Sequence, residues 1–510
     1  MKGLLPALLL AAIALAVPSV AAAETGAWSK PVVISGNVGG SFPDIAVDGA
    51  GNVHVVWNGT LPGQSGNDLG ALFYTRWNGS SWSEPNDVAL ISPSSQAIFS
   101  SIVAGPGGQL GLVYKGMGRL TPDSLTQDDL WFTTSGARQT ASVASWTTPA
   151  RITRDEEGDY ADLAVDSHGV IHLIWMERSA DAWTLEYAHS TDGGATWSKP
   201  VALDETGDVW PYRAHLQVDR SDRLHVVWEL AYPSDADVPP GTTRAAVYAV
   251  STDSGRSWTT TMFPSAIPPD PPVFAGIPGP QQPAIGVDGN GNVLLVYREY
   301  GSDRILYRRS SDGVAWTAPA PLPGVAKGID RPYDVYDLAT DSAGHVHLVM
   351  VAEPTHSNVP SLLHSEWNGH GWGLPTAIAT SPPYPEYPKI AIGQGNRLHV
   401  VWFDGDRATI DRTPIGISYS TALTDAPRVV SRPTVNLSAS TAALTPVSHP
   451  SPTPAGARRL GIAPVQAAPA SGAATPWRPD LGVNPQYPIE VAVLPTILLL
   501  AVIVAVKRNT

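Results

Sequence analysis

Glu177, Glu229 and Glu299 each follow, by one or two residues, a hydrophobic run that ends in Trp or Tyr, and Glu353 and Asp404 stand at similar offsets. Carboxyl groups gathered at one end of successive elements can work on a glycosidic bond as acid, base or nucleophile. Arg178, Arg213, Arg298 and Arg331 recur in the same stretches and could hold an anionic group through paired hydrogen bonds. Trp210, Tyr212 and Tyr300 add apolar faces, and Tyr160, Tyr333 and Tyr336 fall alongside. Together these are sugar-binding materials, with Glu177, Glu229, Glu299 and Tyr333 as catalytic candidates. A solvated edge whose charges satisfy one another has the same composition, so that reading stands beside the first.

Internal repeats are what would bring such residues together. PDIAVDGAGNVHVVW (43–57) recurs as ADLAVDSHGVIHLIW (161–175), AHLQVDRSDRLHVVW (214–228) and PAIGVDGNGNVLLVY (283–297), with weaker copies at 100–114, 336–350 and 388–402. Each copy holds two β-rich runs around a Gly/Asn/Asp turn, which reads as a hairpin. A third run such as 71–77 and a Trp-led fourth such as 197–202 complete a four-stranded blade. The expected fold is all-β, a monomeric seven-bladed β-propeller, with six blades as the alternative. The last repeat lacks a fourth strand, and residues 27–34, which match the Trp-led run at 196–201, are expected to supply it and close the ring. Because successive strands reverse, the repeated turns share one rim and the longer loops (58–70, 115–129, 229–244, 263–282, 403–416) share the other, where function is expected.

Three turns between third and fourth strands read STDGGATW (190–197), STDSGRSW (251–258) and SSDGVAW (310–316). The carboxylates of Asp192, Asp253 and Asp312 can accept backbone N–H bonds, glycine permits positive φ, and Trp197, Trp258 and Trp316 can pack between sheets. These turns resemble the Asp boxes of sialidase-type BNR-repeat propellers. That resemblance implies an arginine cluster for a substrate carboxylate, a tyrosine nucleophile assisted by a glutamate, and an aspartic acid for proton transfer. The family's early Arg-Ile-Pro motif is absent, since the matching entry is Gly40–Ile45, and seven repeats differ from the six blades of catalytic sialidases. Asp48, Asp166, Asp219, Asp288 and Asp341 recur before the hairpin turns and read as turn caps, with calcium as the alternative. His54, His172, His225, His347 and His399 recur in separate blades and read as structural.

The 510-residue chain has no cysteine, which removes disulfides, thiolate metal sites and cysteine nucleophiles, and its net charge of -14 disfavours nucleic acid. No cofactor is expected. Residues 1–23 read as a signal peptide, 24–431 as the propeller, 432–487 as a Pro/Ala/Ser/Thr-rich linker, 488–506 as a transmembrane helix and 507–510 as a cytoplasmic tail. A sorting tail that is cut and replaced is the alternative for the carboxyl end. The chain is thus expected to be exported and anchored at the cell surface, binding a glycan or protein at its long-loop rim. An extracellular glycoside hydrolase and an architectural envelope component are the competing functions.

Overall fold

The computed structural model describes residues 26–429 apart from 60–70, 90–95, 120–125, 137–144, 154–156, 180–181, 205–208, 232–242, 265–279, 300–301, 330, 332 and 407–413. The expected signal peptide, linker, membrane span and tail therefore lie outside the described residues. Among the described residues no helix is long and apolar enough to cross a membrane.

After β1 (Val32–Val33), blade one comprises β2 (Gly40–Val47), β3 (Val53–Gly59), β4 (Ala71–Trp77) and β5 (Asn86–Ala89). Blade two is β6 (Gln96–Ala104), β7 (Gln109–Arg119), β8 (Thr126–Gly136) and β9 (Ala150–Arg151); blade three is β10 (Gly158–Val165), β11 (Ile171–Ser179), β12 (Ala182–Ser190) and β13 (Val201–Asp204). Blade four is β14 (Trp210–Val218), β15 (Leu224–Ala231), β16 (Thr243–Ser251) and β17 (Thr259–Pro264); blade five is β18 (Pro280–Val287), β19 (Val293–Glu299), β20 (Ile305–Ser310) and β21 (Ala320–Pro321). Blade six has its innermost strand in two pieces, β22 (Val325–Gly328) and β23 (Tyr336–Thr340), which both pair with β24 (Val346–Pro354), followed by β25 (Ser361–Trp367) and β26 (Thr376–Thr380). Blade seven is β27 (Tyr384–Gly393), β28 (Arg397–Gly405) and β29 (Pro414–Leu423), with β1 paired to the free side of β29. Seven antiparallel sheets thus form a propeller, and six blades is the expectation set aside.

The second strand of each blade is the buried one, because both of its faces meet neighbouring sheets. Trp57, Trp175, Trp228 and Trp402, which end these strands, are all within 1% of complete burial. Blade one packs on blade seven through Ile45, Val55 and Trp57 against Val401, Phe403 and Ile417. One detail differs from the sequence expectation. In blades three and five the fourth strand begins at Val201 and Ala320, four residues beyond Trp197 and Trp316, because each indole first turns onto the preceding blade.

Six of the seven innermost strands carry the same β-bulge, seen as a slip in pairing between Ser41 and Asp44, Ile98 and Ser101, Asp159 and Asp162, Tyr212 and His215, Gln281 and Ala284, and Glu386 and Lys389. At each slip one residue takes a left-handed backbone: Phe42, Phe99, Tyr160, Arg213, Gln282 and Tyr387 have φ between 42° and 52°. Such a conformation costs a non-glycine residue about 1 kcal/mol, and its repetition re-aims a side chain into the ring each time. In blade six the strand breaks instead, and Arg331, Tyr333 and Asp334 occupy the gap.

Candidate functional site

The Asp boxes are built for packing. Asp192 accepts the Thr196 N–H at 2.9 Å and its hydroxyl at 2.6 Å, and Asp253 binds Ser257 in the same way. Trp197, Trp258 and Trp316 then meet Phe132, Tyr187 and Tyr248 of the preceding blades edge-on at 5.1–5.2 Å. The repeated histidines are structural as well. His54 bonds Tyr74 Oη at 2.7 Å and Asp48 at 3.3 Å, and His225 bonds Tyr248 at 2.8 Å and Asp219 at 3.3 Å. Asp48, Asp166, Asp219 and Asp288 each accept two backbone N–H groups of their own turns at 2.8–3.0 Å.

Above the middle of the ring, on the long-loop side, the bulges assemble an aromatic layer. Phe42 lies 5.0–5.8 Å from Phe99, Tyr333, Tyr387 and Phe403, and Phe99 stacks on Tyr160 at 5.0 Å. Beside it stands a chain of paired charges. Arg213 bonds Glu229 at 2.7 Å and the Arg331 carbonyl at 3.2 Å. Arg331 in turn bonds Glu386 through Nε at 3.1 Å and Nη2 at 3.2 Å, and Tyr333 donates its hydroxyl to Glu386 Oε2 at 3.0 Å. Gln282 fixes the backbone of the gap, donating to the Arg331 and Tyr333 carbonyls at 2.6 and 3.2 Å, while its own N–H is accepted by Glu229 at 2.8 Å. Burial pushes the Glu229 carboxyl up, and the Arg213 charge only partly offsets this. A tyrosine beside a carboxylate and two guanidinium groups has the composition of a nucleophile with an anion clamp. Here, however, Tyr333 is 3% and Glu386 1% exposed, and both arginines are bonded to the protein's own acids.

The remaining predicted residues separate from this group. Glu177 accepts the Trp175 indole N–H at 3.0 Å and Asp404 that of Trp402 at 2.8 Å, so these acids hold the buried strand-end tryptophans. Arg178 pairs with Glu157 at 3.4 Å, and Arg298 is buried between Gln281 and Asp303. Glu299 bonds Ser302 at 2.6 Å and Arg304 at 2.8 Å, which hold its carboxyl down against burial. Glu177, Glu299 and Asp404 are thus each bonded to a donor of their own blade. Tyr300 lies outside the described residues. Trp210 and Tyr212 do remain near the mouth: Trp210 meets Trp183 at 6.2 Å and 61°, both half-buried, and the Tyr212 and Tyr160 hydroxyls are 2.7 Å apart.

Below the aromatic layer a cavity of about 290 Å³ follows the propeller axis. Asp44, Ser101, Asp162, His215, Ala284, Asp337 and Lys389, one from each inner strand, line it. Three of these carboxylates link blades by accepting a neighbour's backbone N–H: Asp44 from Ile102 at 2.7 Å, Asp162 from Leu216 at 2.9 Å and Asp337 from Ile390 at 2.7 Å. Asp334 lies 3.3 Å from His215 and 3.4 Å from Lys389. Burial would raise its pKa, but those two cations hold it far below the usual carboxylate range. Glu386, Gln282, Asp334 and Lys389 are the site residues that sequence reasoning missed. The one shared feature nearby is the step of Phe42-Pro43, Gln282-Pro283 and Tyr387-Pro388 at the head of three repeats, which marks the bulge but not the residue types around it.

Residues 126–400 match the family described as BNR repeat-like domain. No protein of curated function matches the chain. Among solved structures, polysaccharide lyase Uly1 is similar at 10% identity and a TM-score of 0.50, over 73% of this chain and 88% of that one. A protein of unknown function from Dyadobacter fermentans is 13% identical with a TM-score of 0.46, over 79% of this chain and 100% of its own. A Trypanosoma rangeli sialidase solved with sialic acid is 13% identical with a TM-score of 0.39, over 76% and 54%. At these identities the likeness is one of fold alone.

Proposed function

The chain belongs to the BNR repeat-like family, as a sialidase-like propeller, and on that premise we propose that it is a non-catalytic recognition module that binds a glycan on its long-loop face, between blades three and four. The observation that carries this reading is the half-buried Trp183–Trp210 pair at the mouth. Indole faces suit the C–H faces of sugars, and the pair is seated on an apolar cluster with Tyr160 and Tyr212, whose hydroxyls are bonded to each other at 2.7 Å. The Arg213 and Arg331 charges beneath are paired with Glu229 and Glu386 of the protein itself, which favours a rigid platform over a charged site awaiting substrate.

A glycan array probed with the full chain, followed by titration of the best ligand, tests the proposal. Trp183→Ala and Trp210→Ala should each weaken binding by about tenfold or more, the loss of one aromatic contact, with no sugar released by the parent protein. Unchanged affinity in both variants, or no glycan bound at all, would reject it; a protein ligand or an architectural role then becomes the better account.

One observation favours a second reading, a glycoside hydrolase: the Tyr333–Glu386 contact beside Arg331. It requires the aromatic layer to open. Sugar release that disappears in Tyr333→Phe and Glu386→Gln while glycan binding persists would establish it in place of the first.

We further propose that the propeller is exported, monomeric and carried above a membrane by residues 432–506, and that β1 acts as the clasp of the ring. Fractionation of cells before and after surface proteolysis checks the placement: protease-protected propeller in intact cells would contradict it.

A further inference from the structure

On the opposite rim, the hairpin turns of blades three and four meet through residues that no other repeat has at those positions. The turns read DGAGN, DSHGV, DRSDR, DGNGN and DSAGH, so His168 replaces Ala50 or Ala343, and Asp222 replaces the glycine found as Gly51, Gly169, Gly291 and Gly344. Asp222 holds the left-handed conformation of that glycine, φ 57°, and projects a carboxylate onto the neighbouring turn. It accepts the Ser167 N–H at 2.8 Å and hydroxyl at 2.7 Å, and lies 3.2 Å from His168 Nδ1, while Asp166 Oδ2 is 4.0 Å from the same nitrogen. One ligand atom each from Asp166, His168 and Asp222 thus falls within 4.8 Å of the others.

A second observation lies beneath. His172 is completely buried, and its Nε2 completes no hydrogen bond although it faces Asp166 Oδ2 at 3.5 Å. In blades one, four and six the equivalent imidazole does bond its turn carboxylate, at 3.2–3.3 Å. The Tyr187 hydroxyl lies 2.8 Å from His172 Nδ1 and 3.2 Å from the Ser254 carbonyl, so the imidazole is held from its other nitrogen. Nε2 thus stands as a buried nitrogen without a completed bond beside the Asp166 carboxylate.

We propose that Asp166, His168 and Asp222 bind a divalent transition-metal ion, with Zn²⁺ as the fitting case, pinning the turns of blades three and four together. An imidazole with two carboxylates suits Zn²⁺, whereas Ca²⁺ takes six to eight oxygens that three side chains do not offer. A fourth coordination position faces solvent beside His168, whose side chain is 74% exposed. The backbone N–H bonds of His168 and Val170 to Asp166 fix the inner carboxylate from behind.

The test uses the untagged full chain after EDTA treatment and dialysis, titrated calorimetrically with ZnCl₂ and, separately, CaCl₂. Zn²⁺ should bind one-to-one and raise the melting temperature, with no response to Ca²⁺. Asp222→Gly and His168→Ala install residues that other repeats already carry there, so both should fold in EDTA, and the thermal shift of each is read against its own melting temperature without metal. Each should weaken Zn²⁺ binding at least tenfold and abolish the thermal shift. No Zn²⁺ binding, or equal binding by parent and both variants, overturns the proposal, and neither result bears on glycan recognition at the other rim.

Discussion

Asp44 stands on the channel wall, where burial pushes its carboxyl up to about 7 and the Lys389 charge and the Ile102 N–H only partly draw it back. A carboxyl raised above its unfolded value favours the fold while protonated. Its contribution is full below about pH 4 and is lost as pH rises through about 7. Asp44→Asn keeps the acceptor for Ile102 but cannot ionise. Its stability should match the parent near pH 4 and exceed it at pH 8 by on the order of 1–2 kcal/mol, part of the full shift being screened by channel water. Denaturant melts at the two pH values check this, and parallel curves for parent and variant would contradict it. Sequence patterns reach this scale unevenly. The turn carboxylates and strand histidines were legible because the same residue recurs in copy after copy. Glu386 and Lys389 were not, because the bulge places a different residue type at the mouth in each blade, leaving no repeat to recognise.

At the scale of the element, the Asp-box turn couples a backbone conformation to a contact between blades. A Cβ on Gly255, at φ 82°, would lie 2.1 Å from the Tyr187 ring, whereas one on Gly79, at φ 97°, would meet nothing within 4 Å. Gly79→Ala should therefore cost about 1 kcal/mol, the backbone term alone. Gly255→Ala should cost about 3 kcal/mol, because a packed ring must also move. Equal losses in thermal melts would show that the ring yields freely. This turn could be read from sequence because its bonds are local. The start of the following strand could not, since it depends on where the tryptophan finds the neighbouring blade. The split of β22 from β23 was equally hidden: nothing in residues 329–335 signals that a paired strand will be interrupted there for the sake of a buried ion-pair network.

The number of blades followed from periodicity, and the whole molecule depends on how the circle is joined. β1 contributes two paired residues, Val32 with Tyr419 and Val33 with Ser418, helped by Ser29 N–H to the Thr421 carbonyl at 2.8 Å and by buried Ile34 and Ser35. Deleting residues 24–35 exposes the edge of β29 and removes packing between the first and last blades. The melting temperature should fall by about 5 °C or more, and the variant should associate through the freed edge in size-exclusion chromatography. A deletion that melts like the parent and stays monomeric would show that blade seven is stable with three strands.

The place of β29 also decides how the molecule bears load. A pull on the carboxyl end that frees the Val429 N–H from Gln394 and the Thr424 N–H from Asn396 reaches Leu423, the end of a strand hydrogen-bonded on both flanks, to β28 and to β1. Tension then runs along two ladders in shear, with bonds resisting together, whereas an outermost final strand would be peeled away one bond at a time. By lying outside the last strand, the short amino-terminal segment makes that strand mechanically stronger than its two residue pairs would suggest.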